Sequence, residues 1–118
     1  MRASYAEIKI EEILTKAGLT FVEEYSFPDL VSSHNNPLRF DFAVFDDEGE
    51  LDFLIEYQGR QHYEPVKKFG GTTAFARQRF NDQKKKEYCL AHGHKLLIIP
   101  YWDENKISYD YIMDGAGY

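Results

Sequence analysis

Cysteine occurs once, at Cys89, so no disulfide can form within the chain and the paired-cysteine frameworks of small secreted domains are excluded. With four scattered histidines it offers no CxxC or HxxxH spacing, which sets structural zinc and redox chemistry aside. No apolar run approaches the roughly 20 residues of a membrane span, and the opening MRASYAEIKI lacks the apolar stretch of a secretory signal. A cytoplasmic protein is therefore expected. Repeats and low-complexity linkers are also absent. What remains is globular: 118 residues with nine Phe and nine Tyr form one domain over 1–118, able to bury roughly two-thirds of the surface of its unfolded chain.

The net charge of −6 argues against phosphate binding taken over the whole chain, but the charge is unevenly spread. Residues 1–56 carry four Lys/Arg against thirteen Asp/Glu, whereas 67–95 carry eight against two. An acidic block beside a basic one suits a metal at one place and an anionic partner at another.

Ala6, Ile10, Ile13, Leu14 and Ala17 repeat at helical spacing, Ser4 with Glu7 fits a capping box, and Gly18 supplies a stop; the spacing predicts a helix over 4–17. Thr20 to Phe27 reads as a strand followed by the polar loop VSSHNNP. LRFDFAVF and LDFLIEYQ, joined by DDEGE, read as a hairpin. Phe40, Phe42 and Val44 are expected on one face and Arg39, Asp41 and Ala43 on the other, with Phe53, Ile55 and Tyr57 opposed in the same way to Leu54, Glu56 and Gln58. Thr72 or Thr73 is placed to cap a helix running to about Ala91, whose stretch Asn81 to Glu87 holds no apolar residue and is expected to face water or a polar ligand. KLLIIPY reads as a buried strand, and a short helix or turn around 104–113 closes the chain. The expected class is α/β or α+β, in the order α-β-β-β-α-β, with helices covering a central mixed sheet.

Neighbouring strands bring side chains of one face within about 5–8 Å, so Asp41 and Glu56 are able to converge on one cation. Mg²⁺ or Mn²⁺ suits one or two carboxylates plus water and a substrate phosphate, and such an ion polarises a phosphodiester and generates the attacking hydroxide. Gln58 shares the face of Glu56, where its amide can orient a water or a phosphate oxygen. Gly59 lets the backbone bend or come close to a ligand as the strand ends, and His62 in the following loop can exchange protons near neutral pH. Asp82 and Lys85 add a carboxylate and a phosphate contact. Each has a plainer role: Glu7 as a cap alone, Asp41 and Glu56 on a half-exposed sheet, His62 as a loop residue, Lys84 to Lys86 as a solvated helix face. The joint pattern carries the functional expectation.

The segments SYAEIKIEEIL, LRFDFAVF, IEYQGRQHY and NDQKKKEYCLAHGHKLLIIPY together resemble the PD-(D/E)XK nuclease superfamily, in particular its very-short-patch-repair-like branch, which includes phage-borne homing endonucleases. The resemblance spans nearly the whole chain. It implies a restriction-endonuclease-like core and a Mg²⁺- or Mn²⁺-dependent DNA endonuclease acting in the cytoplasm of a bacterial or phage-infected cell. It implies no membrane and no small-molecule cofactor, and it allows a homodimer. Glu7, Asp41, His62 and Asp82 match an E-D-x-H-D order, and Glu56 with Gln58 matches the (D/E)XK positions, with glutamine in place of lysine. Metal binding then falls to Asp41 and Glu56. Stabilisation of the transition state falls to His62, Lys85 or a second metal, and Glu7 and Asp82 act as outer or second-metal ligands. Local charge assigns Arg77, Arg79, Lys84 and Lys85 to DNA phosphates. The repair enzyme's zinc cysteines have no counterparts. Two alternatives accompany this: a structure-selective resolvase or repair nuclease on the same core, and an inactive nuclease-fold protein that binds DNA or protein.

Overall fold

The computed structural model describes residues 4–118, which form an α+β fold with a mixed four-stranded sheet. Helix α1 spans Tyr5–Lys16, strands β1, β2 and β3 span Thr20–Val31, Pro37–Phe45 and Leu51–Gln58, helix α2 spans Gly71–His92, strand β4 spans Lys95–Pro100 and helix α3 spans Tyr109–Gly115. The strand order is β1-β2-β3-β4. The first three strands are antiparallel, as short turns allow, and α2 carries the crossover that makes β4 parallel to β3. No helix among the described residues is long and apolar enough to cross a membrane.

Both faces of the sheet are covered by apolar cores. On one, Ile10 and Leu14 of α1 and Ile112 of α3 pack with Phe42, Val44, Phe53, Ile55 and Ile99. On the other, Leu30, Leu38, Phe40, Ala43 and Leu54 pack against Cys89 of α2. Full burial of such side chains contributes about 1.5–3 kcal/mol each, so the strands are held from both sides. The plainer alternative of a half-exposed sheet is thereby set aside, and Glu56 and Gln58 lie inside the fold at 4% and 5% exposure.

Several boundaries also differ. β1 runs on through Pro28 and Asp29 to Val31, four residues past the expected end. As an edge strand it tolerates proline, and its register with β2 shifts between Ser26 and Val31. Phe40 does not share a face with Phe42: it packs with Ala43 and Leu54, so the alternation breaks at Asp41. Opposite this point Glu24, between the partners of Phe40 and Phe42, takes a φ of 52°, uncommon for a residue with a side chain. α2 starts without a threonine cap. Its N-terminal flank is Gly70 at a φ of 98°, a left-handed conformation that glycine adopts at little cost.

Candidate active site

The break at Asp41 opens the β2–β3 pair at the end where β3 stops. The backbone ladder holds to the Phe42–Ile55 pair. Beyond it, carboxylates stand in for carbonyls: the Asp41 amide donates to Glu56 Oε1 at 3.3 Å, and the Tyr57 amide donates to Asp41 Oδ2 at 2.7 Å. Glu56 is thus fixed by the backbone of Asp41, and Asp41 by the backbone of Tyr57, the residue after Glu56.

Lys85 of α2 completes this pair. Its ammonium donates to Glu56 Oε2 in a buried ion pair and lies 5.5 Å from the centre of the Phe40 ring. Burial holds the Asp41 carboxyl up, with the Glu56 charge and, more weakly, the Glu7 charge adding to the effect, so that it titrates at about 8. Burial raises Glu56 as well, against the opposing pull of Lys85. Without a cation the Asp41 carboxyl thus keeps its proton near neutral pH, and a bound cation would favour its ionised form. Glu7 completes the capping box with the N-cap Ser4, its amide donating to Ser4 Oγ at 3.2 Å and its carboxylate accepting from the Ser4 hydroxyl at 2.9 Å. Its charge still reaches Asp41, so capping and proximity to the site are not exclusive.

A second cluster lies alongside. His62, in a 3₁₀ turn over Arg60–His62, places Nδ1 2.8 Å from Asp82 Oδ2. Gln78, one turn earlier on α2, donates to Asp82 Oδ1 at 3.0 Å, so Asp82 is braced on one side and orients the imidazole on the other. Gln58 accepts at Oε1 from the Tyr63 hydroxyl at 2.9 Å. Gly59 has ordinary extended dihedrals, so the expected special bend is not what it supplies; a Cβ there would stand 2.8 Å from the Gln61 side chain. Between this loop and α2 runs a cleft of about 500 Å³, reached by Gln58, His62, Tyr63 and Asp82 and by Phe75, Arg79, Phe80 and Lys86.

The structure therefore brings Asp41, Glu56 and Lys85 together, and beside them Gln58, His62 and Asp82. It corrects two of the expected phosphate contacts. Lys85 is buried against Glu56, and Lys84 donates to the Val31 carbonyl. Both reach inward because the polar stretch Asn81 to Glu87 faces the sheet at Asp82 and Lys85. Arg77 and Arg79 are exposed, and Arg79 lines the cleft. Tyr63, Gln78, Phe75, Phe80 and Lys86 were not singled out by the sequence, although Phe75, Arg79, Asp82 and Lys86 recur at helical spacing that marks one face of α2.

Asp41 and Glu56 present hard oxygen donors, each oxygen with lone pairs beyond the hydrogen bond it accepts, which fits a divalent ion that keeps water in its shell. Among the described residues no group of three or more His, Cys, Asp and Glu side chains is arranged to hold a metal, so the ion would depend on these two carboxylates, water and substrate oxygens.

No protein-family model matches the chain, and no solved structure matches it. Over 53 residues, 43% of the chain, it is 47% identical to the uncharacterized protein 094L of Frog virus 3 (isolate Goorha). That stretch spans 34% of the viral protein's length, so the likeness is to one segment of a larger relative.

Proposed function

We propose that the chain is a metal-dependent DNA endonuclease built on a restriction-endonuclease-like core of the PD-(D/E)XK kind, closest in motif order to the very-short-patch-repair-like and homing branch. The observation that carries this reading is the pairing of half-buried Asp41 with buried Glu56, with Lys85 seated against Glu56. Two neighbouring carboxylates withdrawn from water and pinned by the amides of Asp41 and Tyr57 make a poor stability device and a good cation site.

Mg²⁺ or Mn²⁺ held by Asp41 and Glu56 would polarise the scissile phosphate and lower the pKa of a bound water. The chain's own groups supply the rest. Lys85 brings an ammonium from α2 to Glu56 and is the candidate to replace the strand lysine that glutamine displaces at 58. An ammonium preorganised there lowers the energy of the charge that builds on the phosphoryl oxygens. His62, oriented through Nδ1 by Asp82, exchanges a proton with the attacking water or the leaving oxygen. Gln58, its carbonyl oxygen engaged by Tyr63, keeps its amide NH₂ for a water or phosphate oxygen. Glu7 adds outer negative charge that favours cation binding, and the exposed Arg77 and Arg79 take backbone phosphates.

One competing reading has an observation behind it. Lys85 already neutralises Glu56, an arrangement that also suits an inactive nuclease-fold protein that binds DNA or protein. Incubation with supercoiled, linear and branched DNA in Mg²⁺, Mn²⁺ or EDTA separates the two. The endonuclease reading expects cleavage with either metal, none in EDTA, and none with Asp41→Ala. Cleavage that persists in Asp41→Ala, or its absence in the intact protein with both metals, overturns it.

A further inference from the structure

The cleft beside His62 has more aromatic surface than a phosphodiester site requires. Phe75 and Phe80 come from α2 and Tyr63 from the facing loop. Phe80 is 59% exposed, and the Tyr63 ring packs at 4.6 Å between centroids on Trp102, which is itself 59% exposed. A lone exposed aromatic is ordinary on protein surfaces. Three aromatics around one cleft are different when that cleft also holds Arg79 and Lys86 and ends at Gln58 and His62. Arg79 sits 5.7 Å from the Phe75 ring centre, so cation and ring surface are offered together.

Duplex DNA presents phosphates and base edges to a protein and keeps its base faces stacked. Rings lining a cleft have no partner on such a duplex. An unpaired nucleotide has one: its base offers a π-face to Phe75, Phe80 or Tyr63, and its phosphates meet Arg79 and Lys86. A volume of about 500 Å³ falls within the range of sites that enclose one small ligand.

We infer that the cleft between α2 and the Arg60–Tyr63 loop is a binding site for an unpaired nucleotide, and that the substrate class is DNA with single-stranded character beside the cut, such as a flap, a bubble or a junction arm. This rests on the endonuclease reading for its link to cleavage, but binding to the cleft is measurable without it. Lys86 and Arg79 hold the strand's phosphates, the rings hold the base, and the next phosphate is delivered to Gln58 and His62.

The test is fluorescence anisotropy of the full chain in EDTA, at one ionic strength, with labelled oligothymidylate, a blunt duplex of equal length and a duplex with a single-stranded flap. The single strand and the flap are expected to bind at least about tenfold more tightly than the blunt duplex. Phe80→Ala is expected to remove about tenfold of the flap and single-strand affinity while leaving the duplex within about twofold, and Phe80→Trp restores it. Phe80 is exposed, so its removal leaves the fold intact, which circular dichroism checks. Equal affinity for duplex and single strand, or Phe80→Ala weakening all three probes alike or none, overturns the inference. Strand-selective binding without cleavage in Mg²⁺ or Mn²⁺ would sink the endonuclease reading and leave the cleft assignment standing.

Discussion

The two sides of the sheet are built from different materials. On the side of α1 and α3 the helices bury Ala6, Ile10, Leu14 and Ile112 against Phe42, Val44, Phe53 and Ile55. On the side of α2 the helix buries Asp82, Lys85 and Cys89, and the strand facing it buries Glu56 and Gln58. An apolar layer holds a fold by surface removed from water, whereas buried charges cost several kcal/mol of desolvation each and contribute little net stability. Apolar packing therefore holds the sheet on both sides, and the α2 side carries in addition buried charge that stability alone does not call for.

Three substitutions and a pH titration break or sharpen that contrast. The largest effect is expected from Asp41→Asn, which keeps the hydrogen bond to the Tyr57 amide and removes the charge. Metal-dependent cleavage should fall to background in a plasmid-nicking assay while the thermal unfolding midpoint does not drop. Phe42→Ala, on the apolar side, should do the reverse. It should cost about 3–5 kcal/mol in denaturant unfolding and leave the cleavage rate per folded molecule nearly unchanged. Lys85→Met should lower single-turnover cleavage by about 10²–10³, the scale of a lost preorganised donor, with a smaller effect on stability because Glu56 can take up a proton.

The metal-free protein should also show the cost of Asp41 as a pH dependence. Its carboxyl titrates at about 8 when folded, from an ordinary value of 3.8. Below the ordinary value both states are protonated and nothing is lost. Between the two values the unfolded chain has released a proton that the folded chain retains, so stability declines as pH rises and levels off above about 8. Urea unfolding in EDTA from pH 4 to 8.5 should show this decline, and Asp41→Asn should flatten it. A slope of the same size in the variant would assign the effect elsewhere.

Part of this contrast was legible in the sequence, and part was not. α1 was readable because its apolar residues keep a period of 3.6 behind a Ser4 and Glu7 cap. β3 and β4 were readable as apolar runs, and the period of two in the hairpin put Asp41 and Glu56 close enough to be paired. The buried side of α2 was not. A run such as NDQKKKE reads as solvent-facing until its partners are known, and the partner of Lys85 lies 29 residues away on another element. Phe40 was misplaced for a related reason, since a break in alternation at one residue leaves no mark on a strict two-residue pattern. The length of β1 was hidden by Pro28 and Asp29, loop residues by composition that an edge strand accommodates.

The most direct measurement is a Mn²⁺ titration by isothermal calorimetry of the intact protein, Asp41→Asn and Lys85→Met, without DNA. The account predicts saturable binding in the intact protein, its loss in Asp41→Asn, and its retention in Lys85→Met, whose lysine bears on the substrate rather than on holding the ion. Binding that is unaffected by Asp41→Asn, or no saturable binding in the intact protein, would contradict a metal site at the end of β3.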